Sequence, residues 1–128
     1  MTYTEPDAIA AIARAIQTEQ NYVFAAGLAG AFLRGAGRRR AVNQLAEHRA
    51  RLQANAALVD PADVPPTPPG FTPESPITDP KTARSALAAL NNALVGVYAD
   101  VASVTEGTDR ATATVSYTHL TLPTMCVV

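Results

Sequence analysis

The chain predicts an all-α fold, a bundle of long helices, and three observations carry that expectation. Apolar residues recur at three-four spacing through three long segments, which keeps one stripe of each facing a partner. Aromatic residues make up only 5% of the 128 residues and Trp is absent, so the core is built from Ala, Leu, Ile and Val, side chains that suit close helix packing better than a β-sandwich. Between the second and third segments stand Pro61, Pro65, Pro66, Pro68, Pro69, Pro73 and Pro76, which exclude both helix and central strand there.

The first helix is expected over about residues 5–34. Thr4-Glu5-Pro6-Asp7 supplies a capping hydroxyl, an early proline and acidic groups where the free N–H groups favour them. Ile9, Ile12, Ile16, Val23, Ala26, Gly30 and Leu33 form its inward stripe, and Gly35 and Gly37 end it. The second helix is expected over about 39–59, with Val42, Leu45, Leu52, Ala56 and Val59 inward, stopping at Asp60-Pro61 because a residue before proline avoids the helical region. A short glycine turn makes these two helices antiparallel neighbours. The third, over about 80–106, has Asp79 as cap, Pro80 in its first turn and Ala83, Leu87, Leu90, Leu94, Val97, Val101 and Val104 as its stripe.

Residues 60–79 read either as a linker or as a crossover. Polyproline II geometry covers about 3.1 Å per residue, so the segment can run the length of a helix, with Phe71 and Ile77 pinning it to the bundle. A crossover makes the second and third helices parallel, the one-crossover topology of ferritin-like bundles. The long hairpin, the crossover closing on Pro76-Ile77-Thr78-Asp79-Pro80, and the Ala-rich third helix ending Val97-Tyr98-Ala99-Asp100 resemble the ferritin-like domains of unknown function in actinobacteria numbered 4439. The resemblance spans about Glu5 to Arg110. It implies a four-helix ferritin-like fold with no assigned activity, whose fourth helix should follow Arg110.

There the chain changes character. Val115 to Thr124 match, without a mismatch, one reading frame of a transposase adapter used in short-read libraries, and the following bases of such libraries account for Val128 and the stop. Residues 115–128 therefore read as an artefactual tail, residues 1–114 as one incomplete domain, and the fourth helix as missing. The only cysteine, Cys126, and one of the two histidines, His119, lie in that tail, so cysteine usage says nothing of redox compartment.

Di-metal bundles need a Glu from each of two helices and Glu-x-x-His from each of the others. Glu19 falls seven residues after Ile12 and three after Ile16, on the apolar stripe, where an unpaired carboxylate is costly to bury. His48 lies on a face with Leu45 and Leu52, but Leu45 stands three before it, and Gln44 and Glu47 have the wrong spacing for the motif. On the third helix Asn91, beside Asn92, stands where a carboxylate is expected, and an amide does not offset metal charge. Glu19, His48 and Glu47 are thus the weak metal candidates of a site that is not intact. The plainer expectation is a polar cluster of Glu19, His48, Asn91 and Tyr98 hydrogen-bonded in the core.

The leading expectation is a non-catalytic structural or interaction module without cofactor. The second is an iron or manganese oxidoreductase completed by the lost helix. No nucleophile stands in a catalytic turn motif. Arg34, Arg38, Arg39 and Arg40, with Arg49 and Arg51, cluster at the first turn; a solvated cap at the C-terminal end of a helix explains them without nucleic acid. Gly27 and Gly30 suggest close helix contact rather than a phosphate loop, since no strand precedes them. Met1–Asp7 lacks a basic leader, and the most apolar run, Val23–Leu33, is short for a membrane span, which needs about 20 residues, so the expectation is cytoplasmic. Three stripes sized for a fourth partner predict helix-mediated self-association.

Overall fold

The computed structural model describes residues 2–121, with side chains through Thr118. Four α-helices follow in order: α1 Pro6–Gly30, α2 Gly35–Ala56, α3 Pro80–Val104 and α4 Gly107–Thr121. A 3-10 turn, Pro61–Asp63, is the only further helical piece among the described residues, and none of them lies in a strand. α1 packs against α2 and α3, and α3 in turn holds α4.

Hydrogen bonds at one end and along the connecting segment fix how the elements run. The Tyr3 backbone N–H, just before α1, donates to the Leu58 carbonyl beyond α2 at 2.8 Å. The Tyr3 hydroxyl donates to Asp109 Oδ2 at 2.7 Å and accepts from the Glu106 N–H at 3.2 Å, so the α3–α4 corner lies at the same end. Along the segment between α2 and α3, the Gln20 amide donates to the Pro65 carbonyl at 3.2 Å and the Phe24 ring lies against Gly70. Phe71 and Ile77, as expected, are partly buried against the core.

The helix starts differ in how they are secured. Asp79 accepts from the Thr82 N–H at 2.8 Å while Thr82 Oγ1 accepts from the Asp79 N–H at 3.0 Å, a reciprocal capping box. That backbone hydrogen bond from Thr82, then its side chain, hold the Asp79 carboxyl below its ordinary 3.8. α1 has no such cap: Glu5, not Thr4, is its N-cap, and it makes no side-chain cap bond. α1 also ends at Gly30, four residues early, and α2 begins at Gly35 with φ +57, so this glycine opens the second helix rather than closing the first. Gly27 and Gly30 face open space where a Cβ would stand, so neither serves close packing.

The expected stripe holds on α3 and for Ile12, Ile16, Ala26 and Leu33 at α1, and fails on α2. On α1 the buried line is Ala11, Ile12, Ala15, Ile16, Glu19, Tyr22, Ala25, Ala26 and Ala29, while Ile9 and Val23 are only half-buried. On α2 the correction is larger: Val42 is 57% exposed, and the buried residues are Ala41, Gln44, His48 and Asn55. The branched side chains of α2 flank a polar inner face. On α3, Leu87, Leu94 and Val101 are fully buried, each contributing about 1.5–3 kcal/mol, with Asn91 and Tyr98 between them. α3 is long and apolar enough, by length and composition, to cross a membrane, and its apolar stripe is covered here by α1 and α4.

The expectation of a missing fourth helix is corrected. Gly107, read as the end of α3, adopts φ +58 and turns the chain directly into α4. Arg110 Nε then donates to the Thr105 and Ala102 carbonyls at 2.8 and 3.0 Å, satisfying the end of α3. α4 has 15 residues against 25 in α3. Residues 122–128, including Cys126, lie outside the described residues.

Candidate functional site

The polar inner face of α2 meets one carboxylate from α1. Glu19 and His48 are both fully buried, with His48 Nδ1 2.5 Å from Glu19 Oε1. A contact this short needs one proton between ring nitrogen and carboxyl, and with the carboxylate ionised Nδ1–H is the donor to Glu19. Arg51 Nη1 lies 3.4 Å from the same Nδ1. Arg51 also extends toward Glu47, 3.8 Å away.

The second oxygen of Glu19 is taken from α3. The Tyr98 hydroxyl donates to Glu19 Oε2 at 2.5 Å and accepts from Asn55 Nδ2 at 3.0 Å. Asn55 also donates to the Arg51 carbonyl at 2.9 Å, which ties the chain of bonds back to α2. Tyr22, one turn beyond Glu19, lies over the His48 ring with centroids 3.6 Å apart and planes inclined by 25°, and its hydroxyl donates to Gln44 Oε1 at 3.1 Å. Burial, then the negative charge of Glu19, push both phenols well above their ordinary 10.0. Tyr22 and Tyr98 therefore stay protonated as donors.

Of the residues singled out in the sequence, the structure brings together Glu19, His48 and Tyr98. Glu47 does not join them; its side chain is half exposed on another face of α2. Asn91 is buried, but among the described residues neither its Oδ1 nor its Nδ2 has a hydrogen-bond partner, and His48 Nε2 is likewise buried and without one. Sequence reasoning missed Tyr22, Gln44 and Asn55. The signal was present: Gln44, His48 and Asn55 are spaced by four and seven on one helical face.

The donor set can be tested against a di-metal centre. Among the described residues no group of three or more His, Cys, Asp or Glu converges. Both oxygens of the inward carboxylate already accept from protein donors, Leu45 replaces the Glu of a Glu-x-x-His, and Asn91 replaces the carboxylate of α3. These residues do not fit a di-iron or di-manganese site. What the arrangement does chemically is hold one imidazole and one carboxylate in a fixed mutual orientation in the buried core.

Fold and site together define an all-helical bundle domain with a polar layer through its core. The model of the family described as "Domain of unknown function (DUF4439)" matches residues 11–122, and the chain belongs to that family. Among solved structures it is similar to the crystal structure of a conserved hypothetical protein, rv2844, from Mycobacterium tuberculosis, with a TM-score of 0.83 and 19% identity over 96% of this chain and 95% of that one. At that identity the likeness shows the fold. No curated protein matches the chain.

Proposed function

We propose that this domain is a ferritin-like helical scaffold, a structural or interaction module rather than an enzyme. The observation that carries the reading is the use of Glu19: each oxygen of the one inward carboxylate is engaged, by His48 Nδ1 and by the Tyr98 hydroxyl, so the group joins three helices instead of facing a substrate or ion. The ferritin-like topology rests on the contacts of residues 60–79 with Gln20 and Phe24 and on the junction at Tyr3, which suit a Pro-rich crossover with α2 and α3 parallel. The test is metal content. Purified protein and its Glu19→Gln variant are assayed for bound iron and manganese; sub-stoichiometric metal in both is expected. Near-stoichiometric metal that the substitution abolishes would establish the metalloprotein reading, which draws its support from the unpartnered His48 Nε2.

The reading includes the origin of the tail. Val115 and Tyr117 are 66% and 39% exposed while Ser116 between them is buried, the reverse of what a core helix arranges, and this agrees with an adapter-derived segment. The family match extends across residues 115–122, which argues the other way. Resequencing the genomic locus separates the two: divergence from the present sequence directly after Thr114 is expected, and an identical locus would end the adapter reading.

A further inference from the structure

The formal net charge of −1 conceals a polarised molecule. Around the Tyr3 junction the chain places Glu5, Asp7, Asp60, Asp63, Glu106 and Asp109. At the other end, where α1 passes to α2 and α3 begins, stand Arg34, Arg38, Arg39, Arg40, Lys81 and Arg84. No carboxylate occurs between Gln20 and Ala46; of the two near the start of α3, Asp79 is committed to Thr82, and Glu74 lies with Thr82 and Ser85, outside the lining of the cleft. The sequence showed four of these arginines as a solvated cap. The fold adds Arg84 from a different helix and a cleft between them.

That cleft has a volume of about 370 Å³ and is lined by Phe32, Leu33, Arg34, Gly37, Arg40, Pro80 and Arg84. Arg84 from α3, Arg40 from α2 and Arg34 from the turn before α2 line one concavity whose lining contains no acid. A solvated cap needs no concavity. Guanidinium groups in a shared cleft match the planar, bidentate geometry of phosphate oxygens. Phe32 and Pro80 give the same cleft an apolar wall, and Phe32 remains 36% exposed, open to a flat ring.

We propose that this cleft binds the phosphate groups of a nucleotide-sized anion, held by Arg34 and Arg84. The site is remote from the Glu19 layer and stands whether or not the scaffold reading does. The test titrates the full 128-residue chain with inorganic pyrophosphate and with adenosine triphosphate by calorimetry, at about 50 mM and about 200 mM salt. Saturable binding that weakens with salt is expected, reduced roughly tenfold or more in the Arg34→Gln/Arg84→Gln double variant and unchanged in Arg14→Gln, an exposed arginine outside the cleft. Both substituted arginines are solvent-exposed, so helicity and melting by circular dichroism should match the parent. Tighter binding of adenosine triphosphate, lost in Phe32→Ala, identifies a nucleotide; equal binding of the two probes identifies bare polyphosphate as the source of the phosphate. Absence of saturable binding of either probe at millimolar concentration, or a double variant that binds as the parent does, would overturn the proposal.

Discussion

Two buried polar positions two turns apart on α3 meet opposite conditions. Tyr98 is bonded twice, to Glu19 and Asn55, and through them to α1 and α2. Asn91, with 1% exposure, has no hydrogen-bond partner among the described residues. The same helix face, with Leu94 between them, thus carries one polar group that holds the bundle in register and one that costs stability. Burial of a polar group is therefore informative only together with its partners: an engaged network specifies one packing, whereas an orphaned amide loses its hydration without recompense.

Substitutions can break that contrast from either side. The largest effect is expected from Glu19→Ala, which leaves His48 Nδ1–H and the Tyr98 hydroxyl buried without their acceptor and should cost roughly 3–5 kcal/mol in urea unfolding. Tyr98→Phe keeps the ring and removes only the hydroxyl, so a loss of about 1–3 kcal/mol is expected, with Asn55 and one Glu19 oxygen left unpaired. Asn91→Leu should act with the opposite sign, raising stability by about 1–2 kcal/mol, because it replaces an unbonded amide by an apolar group of similar size. A destabilised Asn91→Leu protein would mean that the amide has a partner and would remove the contrast.

The smallest effect lies outside the core. Asp79→Ala removes the capping box of α3 and should lower the melting temperature at neutral pH. Because the folded-state pKa of Asp79 lies below its ordinary 3.8, its contribution is complete above that value and fades as the pH falls through the folded one. Melting curves of parent and variant should therefore converge in acid. A gap that persists at about pH 2 would show that the carboxylate is not what secures the helix start.

How much of this was legible in the sequence follows from residue chemistry. Asp79-Pro80 fixed the start of α3 because both residues act locally, and Glu19 and His48 were legible because each interrupts an apolar face. The face of α2 was not. Its branched residues Val42, Leu45 and Leu52 suggested one stripe, yet the inward positions went to Ala41, Gln44, His48 and Asn55, since the α1 groups opposite, Glu19 and Tyr22, require polar partners. Apolar periodicity does not register a demand made by another helix. Gly107 misled for a related reason: a left-handed glycine ends one helix but says nothing of whether the next begins at once.

The central claim is that Glu19 serves as an internal acceptor for His48 and Tyr98, and the most direct measurement is the nitrogen–proton correlation spectrum of the His48 imidazole in labelled protein. A proton on Nδ1, shifted far downfield by the short contact with Glu19 and returned to ordinary values in Glu19→Gln, is expected. An His48 ring whose Nδ1 carries no proton would contradict the account, because Glu19 would then have no donor on α2.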